Sequence, residues 1–204
     1  MNTGLVNTRT THKWDAHPLW EYQLLVHPDE KVNEQVKDEK RYFVTAYGHE
    51  VSIETNQQVL VASFFAPEEI EPTLLRWTQK VCNNQPRFVT TLNNFSGFPP
   101  NTIYLRVQNH QPYKELVKGL KAIEQYVQSN ECPSMNLVSA PHIIMARSLP
   151  EVVYEKAVKD YAGRLFHASF SVEKLLLIKR KHQREAFQNV SLFPLAAQPN
   201  DFFN

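Results

Sequence analysis

Gln58-Val-Leu-Val-Ala-Ser-Phe-Phe-Ala-Pro-Glu-Glu69 is echoed 84 residues later by His142-Ile-Ile-Met-Ala-Arg-Ser-Leu-Pro-Glu151, and this pair of stretches decides how the chain is read. The segments around them recur at nearly the same distance. Tyr22-Gln-Leu-Leu-Val26 returns as Tyr104-Leu-Arg-Val107, and Phe88-Val-Thr-Thr-Leu92 as Phe170-Ser-Val-Glu-Lys-Leu175, each 82 residues on. Repetition at a near-constant offset settles architecture before any single motif does. Two copies of one unit are expected to face each other across a pseudo-two-fold axis with a cleft between them.

The pattern predicts the same order of elements twice. In the first half a strand spans 21–26. His27-Pro-Asp-Glu30 supplies a turn and a cap, and Val32 and Val36 mark a charged helix to about Tyr47, closed by Gly48. Val59 to Phe65 reads as a buried strand. Pro67 and Pro72 bracket an acidic helix entry, and Leu74, Leu75, Trp77 and Val81 supply an apolar face. Phe88 to Leu92 closes the half, and Asn93-Asn-Phe-Ser-Gly-Phe-Pro-Pro100 is a turn-rich junction. The second half predicts a strand over 102–108, a helix over about 112–128 with Leu116, Leu120, Ile123 and Val127 on one stripe, and a loop containing Pro133. A strand over 142–146, a helix from Glu151 to about Phe166 and a long strand from Phe170 to Ile178 follow, with a short strand over 190–193. The fold class is α+β: a duplicated strand-helix-strand-helix-strand unit, two lobes with facing sheets and helices outside. Residues 1–18 read as a loose tail, with Trp14 and Trp20 as its anchors; the halves span about 19–98 and 99–194, and 195–204 form a second tail.

Composition narrows the function classes. At 204 residues and 42% hydrophobic content the chain can bury a sizeable core, and a formal net charge of +1 argues against generic electrostatic binding of nucleic acid. No DNA partner is evident, so a phosphate site would be local. Cys82 and Cys132 match no metal or redox spacing and read as free thiols. No signal peptide and no run of ~20 apolar residues is found, so the expectation is a cytoplasmic monomer without membrane attachment, cofactor or metal.

Side chains at i and i+2 of a strand share a face, so Gln58 goes with Leu60, and His142 with Ile144. Together with Thr91-Leu-Asn-Asn-Phe-Ser-Gly-Phe-Pro-Pro100 and Thr102-Ile-Tyr-Leu-Arg-Val-Gln108, these stretches resemble the two-histidine (2H) phosphoesterase superfamily over roughly residues 20–194. Within it the chain is most similar to bacterial 2′-5′ RNA ligase-like proteins. The resemblance implies their fold and a cleft into which each half sends a His-x-Thr or His-x-Ser strand. One imidazole takes a proton from the attacking hydroxyl, the other protonates the leaving oxygen, and two hydroxyls hold phosphate oxygens, without a metal.

Carried over by position, the tetrad is Gln58, Leu60, His142 and Ile144, and only His142 keeps the family's residue. Glutamine donates a hydrogen bond but transfers no proton, and Leu and Ile offer an anion no donor. The expectation is therefore a degenerate, inactive or weakly active relative that holds a nucleotide, an RNA end or a phosphorylated metabolite. The alternative is a divergent 2′,3′-cyclic phosphodiesterase or 2′-5′ RNA ligase-like enzyme using His142, and a further one is a protein-interaction module. Tyr104, Arg106 and Arg147 are candidate ligand contacts or, equally, a rim aromatic and surface ion pairs. The one literal His-x-Ser, His167-Ala-Ser169, falls away from the motif position, and His49 and His110 sit near turns. Lys179-Arg-Lys-His-Gln-Arg184 reads as a solvated strand edge or a phosphate collar.

Overall fold

The computed structural model describes residues 18–48 and 57–197. Trp14, His49, most of the N-terminal tail and the last seven residues lie outside the described residues. Nine strands and four α-helices are found among the described residues: β1 (Trp20–Val26), α1 (Glu30–Tyr47), β2 (Val59–Ala66), α2 (Glu71–Asn83), β3 (Phe88–Phe98), β4 (Thr102–Val107), α3 (Gln111–Ser129), β5 (Asn136–Leu137), β6 (His142–Ala146), α4 (Glu151–Ala162), β7 (His167–Val172), β8 (Lys174–Arg180) and β9 (Gln188–Pro194). They build two antiparallel sheets, β5-β2-β1-β8-β9 and β6-β4-β3-β7. α2 and α3 lie on the first sheet and against each other, and α1 and α4 on the second.

Local chemistry sets the helices. Asp29 caps α1 by accepting from the Val32 amide at 2.8 Å, and Gly48, at φ 91°, ends it. Val32, Val36 and Phe43 bury one face of α1. In α3 the buried stripe is Tyr113, Leu116, Leu120, Ile123 and Val127. The face of α2 differs from expectation: Leu74, Thr78 and Cys82 are buried, whereas Trp77 and Val81 turn toward α3. There Trp77 packs on Tyr126 at 5.0 Å between ring centres, and Gly119 lets α3 approach so closely that a Cβ would stand 2.8 Å from Val81. Both cysteines are buried and unbonded to each other, and burial pushes the Cys82 thiol up to about 12.

The strands cross between lobes, which the simple repeat did not anticipate. β3 continues through the predicted junction to Phe98 and pairs with β4 and β7, in the sheet of the second half. Its buried side chains run Phe88, Thr90, Leu92 and then Phe95, a one-residue slip of phase at a bulge. At that bulge Asn94 adopts φ 56°, donating its amide to Phe166 O at 2.8 Å and accepting from Phe166 N at 3.0 Å. The predicted long strand over 170–178 shows the same slip. Phe170 and Val172 are buried in β7, Leu175 and Leu177 in β8, and at Glu173 the chain leaves the second sheet for the first, where β8 pairs with β1. Helix α4 stops at Gly163 rather than near Phe166.

The basic run resolves into two parts. Lys179 is buried and donates to Glu68 and Glu71 at 2.6 Å each, with Glu71 also accepting from Tyr22 Oη at 2.9 Å. Burial opposes its charge, but the bonds to Glu68 and Glu71 outweigh that and raise its pKa above the ordinary lysine value. Arg180 Nε meets Glu21 at 2.6 Å. These two cations are used internally, so only residues 181–184 remain as an exposed turn. No helix among the described residues is long and apolar enough to cross a membrane.

Candidate functional site

The uncovered faces of the two sheets look at each other, and a cavity of about 420 Å³ lies between them. Gln23 and Leu25 of β1, Gln58 just before β2, Leu60 of β2, and His142 and Ile144 of β6 line it, with Asn136, Val138 and Arg147. The four tetrad positions read from the repeat thus meet in one hollow. Register explains why: Leu25 stands opposite Leu60 on β1–β2, and Tyr104 opposite Ile144 on β4–β6. The matching residues of the two lobes are therefore Leu25 and Tyr104. The Tyr22/Tyr104 echo in the sequence is not a spatial equivalence, since Tyr22 is fully buried on the helix side. The loop after α3 also reaches across: Asn136 and Leu137 pair with Ser63 and Ala62, and the Val138 amide bonds to Val61 O at 2.8 Å, closing one side of the hollow.

His142 sits in an aromatic corner. Tyr104 lies 4.8 Å and Phe98 5.1 Å from its ring, and these two stack on each other at 4.2 Å with 21° between planes. Burial lowers the pKa of His142, a hydrogen bond to the Ala140 backbone works in the opposite sense, and the charges of Arg147 and His110 lower it further. Arg147 lines the cavity. Arg106 stands opposite His142 in the sheet, but its Nε donates to Asn93 O at 3.2 Å, and neither it nor Tyr104 is part of the cavity lining. His167 is exposed at the edge of the second sheet, beside Asn93, with Ser169 bonded to Thr91 at 2.9 Å. His110 stands at the start of α3, close enough for its charge to be felt at His142.

One residue escaped the sequence reading. His27 follows β1, and Gln58 Nε2 lies 2.6 Å from its Nε2. Burial lowers its pKa, and the Lys174 charge adds to that. His27 lines a second hollow of about 660 Å³ with Asp29, Ser171, Glu173, Lys174, Leu176 and Leu192. The two hollows adjoin at the Gln58–His27 contact. A further hollow of about 460 Å³ lies outside the sheets, between α2 and α3, and has no histidine in its lining. Among the described residues no three His, Cys, Asp or Glu side chains are grouped to hold a metal ion.

A family model described as the 2′-5′ RNA ligase superfamily matches residues 59–184. Among solved structures, TT0787 of Thermus thermophilus superposes with a TM-score of 0.68 at 18% identity, covering 87% of this chain and 99% of that one. E. coli LigT complexed with 3′-AMP gives 0.60 at 15% identity over 87% and 98% of the two chains, and LigT complexed with NADP+ gives 0.59 with the same identity and coverage. At such identities the likeness is one of fold. None of the curated protein sequences matches the chain.

Proposed function

The chain belongs to the 2′-5′ RNA ligase superfamily, and from that premise we propose that its cleft binds the phosphate of a nucleotide or RNA end, with phosphodiester chemistry well below that of a complete tetrad. The observation that carries this reading is the meeting of Gln58, Leu60, His142, Ile144 and Arg147 in one cavity of about 420 Å³. Arg147, His142 and Gln58 supply donors to an anion, and the stacked Phe98–Tyr104 pair packs on His142 beside the cavity and holds its ring. LigT, of the same fold, was crystallised with 3′-AMP and NADP+. Leu60 and Ile144 stand where a phosphate oxygen needs donors, and loss of one such donor costs ~10²–10³-fold in rate. The protein acts on this reading as a cytoplasmic monomer without a metal.

Thermal shift with 3′-AMP, 2′,3′-cyclic AMP and inorganic phosphate tests it. Wild type is expected to be stabilised by the nucleotides, and His142→Ala much less so. Absence of stabilisation by every phosphate compound overturns the reading.

A further inference from the structure

We propose that His27 supplies the second imidazole that position 58 lacks, so that the cleft retains one acid–base histidine from each lobe. This rests on the cleft reading above and adds a reaction to it. Val26 pairs with Val59 and Leu25 with Leu60, which brings His27 beside Gln58. His27 lies two residues on from the cavity-lining Leu25, just past the end of β1, and lines the hollow that adjoins the cavity at Gln58. The imidazole has in effect moved one strand sideways, from the start of β2 to the end of β1. In the second lobe the corresponding place, two residues on from Tyr104 and opposite His142, holds Arg106. The lobes thus present His27 beside Gln58 on one wall and His142 beside Arg106 on the other.

The surroundings of His27 suit a base. Gln58, just before β2, holds its ring, while Lys174 of β8, Glu173 at the crossing and Asp29 of its own turn are the charged groups around it. Partial burial and the Lys174 charge lower its pKa, which favours the neutral ring. The hollow it lines lies beside Gln58 through the His27 contact. With a 2′,3′-cyclic phosphate in the cavity, His27 accepts a proton from water as the water oxygen bonds to phosphorus. The bond from phosphorus to one ribose oxygen breaks, and His142, which must enter this step as the imidazolium, delivers its proton to that oxygen, while the proton taken up by His27 replaces it in the balance. The product is a phosphomonoester, with protons balanced and no redox step. Gln58 is a positioning residue in this scheme.

The experiment compares hydrolysis of 2′,3′-cyclic AMP and nucleotide-induced stabilisation in wild type, His27→Ala, His27→Gln and the double variant His27→Ala/Gln58→His. Expected are slow but measurable turnover in wild type and a loss of about 10²-fold or more in both single variants. Their nucleotide stabilisation and melting behaviour should be retained, and the double variant, which returns an imidazole to β2, should recover turnover. Wild-type stabilisation without turnover, turnover unchanged in His27→Ala and His27→Gln, or no recovery in the double variant each overturns the role of His27 while leaving the binding reading intact. Failure of wild type to be stabilised at all sinks the binding reading instead.

Discussion

The two walls of the cleft are built from the same repeated strands, yet they have diverged in opposite directions. On the first wall Leu25, Leu60, Leu176 and Leu192 form an apolar stretch, with Gln23, Gln58 and His27 as polar groups beside it. The second wall carries Thr91, Tyr104, Arg106 and His142, with Ser169, around the apolar Ile144. The helix-facing sides show no such split, since both are buried and, apart from Thr90 and Lys179, apolar. Packing constrains one face of each sheet in every copy, because each exposed methylene there forfeits burial energy. The free face is less constrained by such packing. The first wall is the more apolar of the two, and the second carries more polar and aromatic side chains.

Erasing that asymmetry should give the largest effect. Gln58→His, Leu60→Thr and Ile144→Thr together restore the family pattern on both walls, and hydrolysis of 2′,3′-cyclic nucleotides is expected to rise by ~10²-fold or more. Unchanged turnover would mean that the walls no longer hold the spacing of active relatives. Next, Leu25 on the first wall is 1% exposed, so Leu25→Ala should cost about 3 kcal/mol in urea denaturation. Its counterpart Tyr104→Ala should cost less stability but lower nucleotide affinity by about tenfold, read by titration, through loss of the ring that packs on His142. Similar stability losses from the two would erase the distinction between the walls.

Lys179→Met tests what anchors the first wall to α2. It leaves Glu71, itself mostly buried, without its cation, while the more exposed Glu68 is relieved by water, and the expected loss is about 2 kcal/mol. The smallest effect is in pH dependence. His27 and His142, one per wall, both have pKa values below the ordinary 6.5. The folded protein therefore binds fewer protons than the unfolded chain as pH falls through 6.5 toward the folded values, and stability declines over that window. A His27→Gln/His142→Gln variant should show a flatter melting profile below pH 6.5, and an unchanged slope would show that neither burial matters.

Much of this was legible from residue patterns. The duplication, the strand–helix order and the placing of Gln58, Leu60, His142 and Ile144 on one cleft all follow from a repeat offset and the two-residue period of strands. Less legible were the crossings of β3 and β8. Their signal was present as slips of apolar phase at Asn93–Asn94 and at Glu173–Lys174, but a slip reads equally well as a bulge, a turn or a change of sheet. Likewise the fate of Lys179 and Arg180 depended on Glu68, Glu71 and Glu21, more than a hundred residues away in the chain.

By itself the sequence determined the repeated unit and the family likeness, because identity and spacing are local properties. Only the tertiary structure decided that His27 stands beside Gln58. That contact depends on the register of β1 against β2, which includes a one-residue irregularity after Leu24. A shift of one residue in an antiparallel pair turns every side chain to the opposite face, and register is set by packing across the whole sheet.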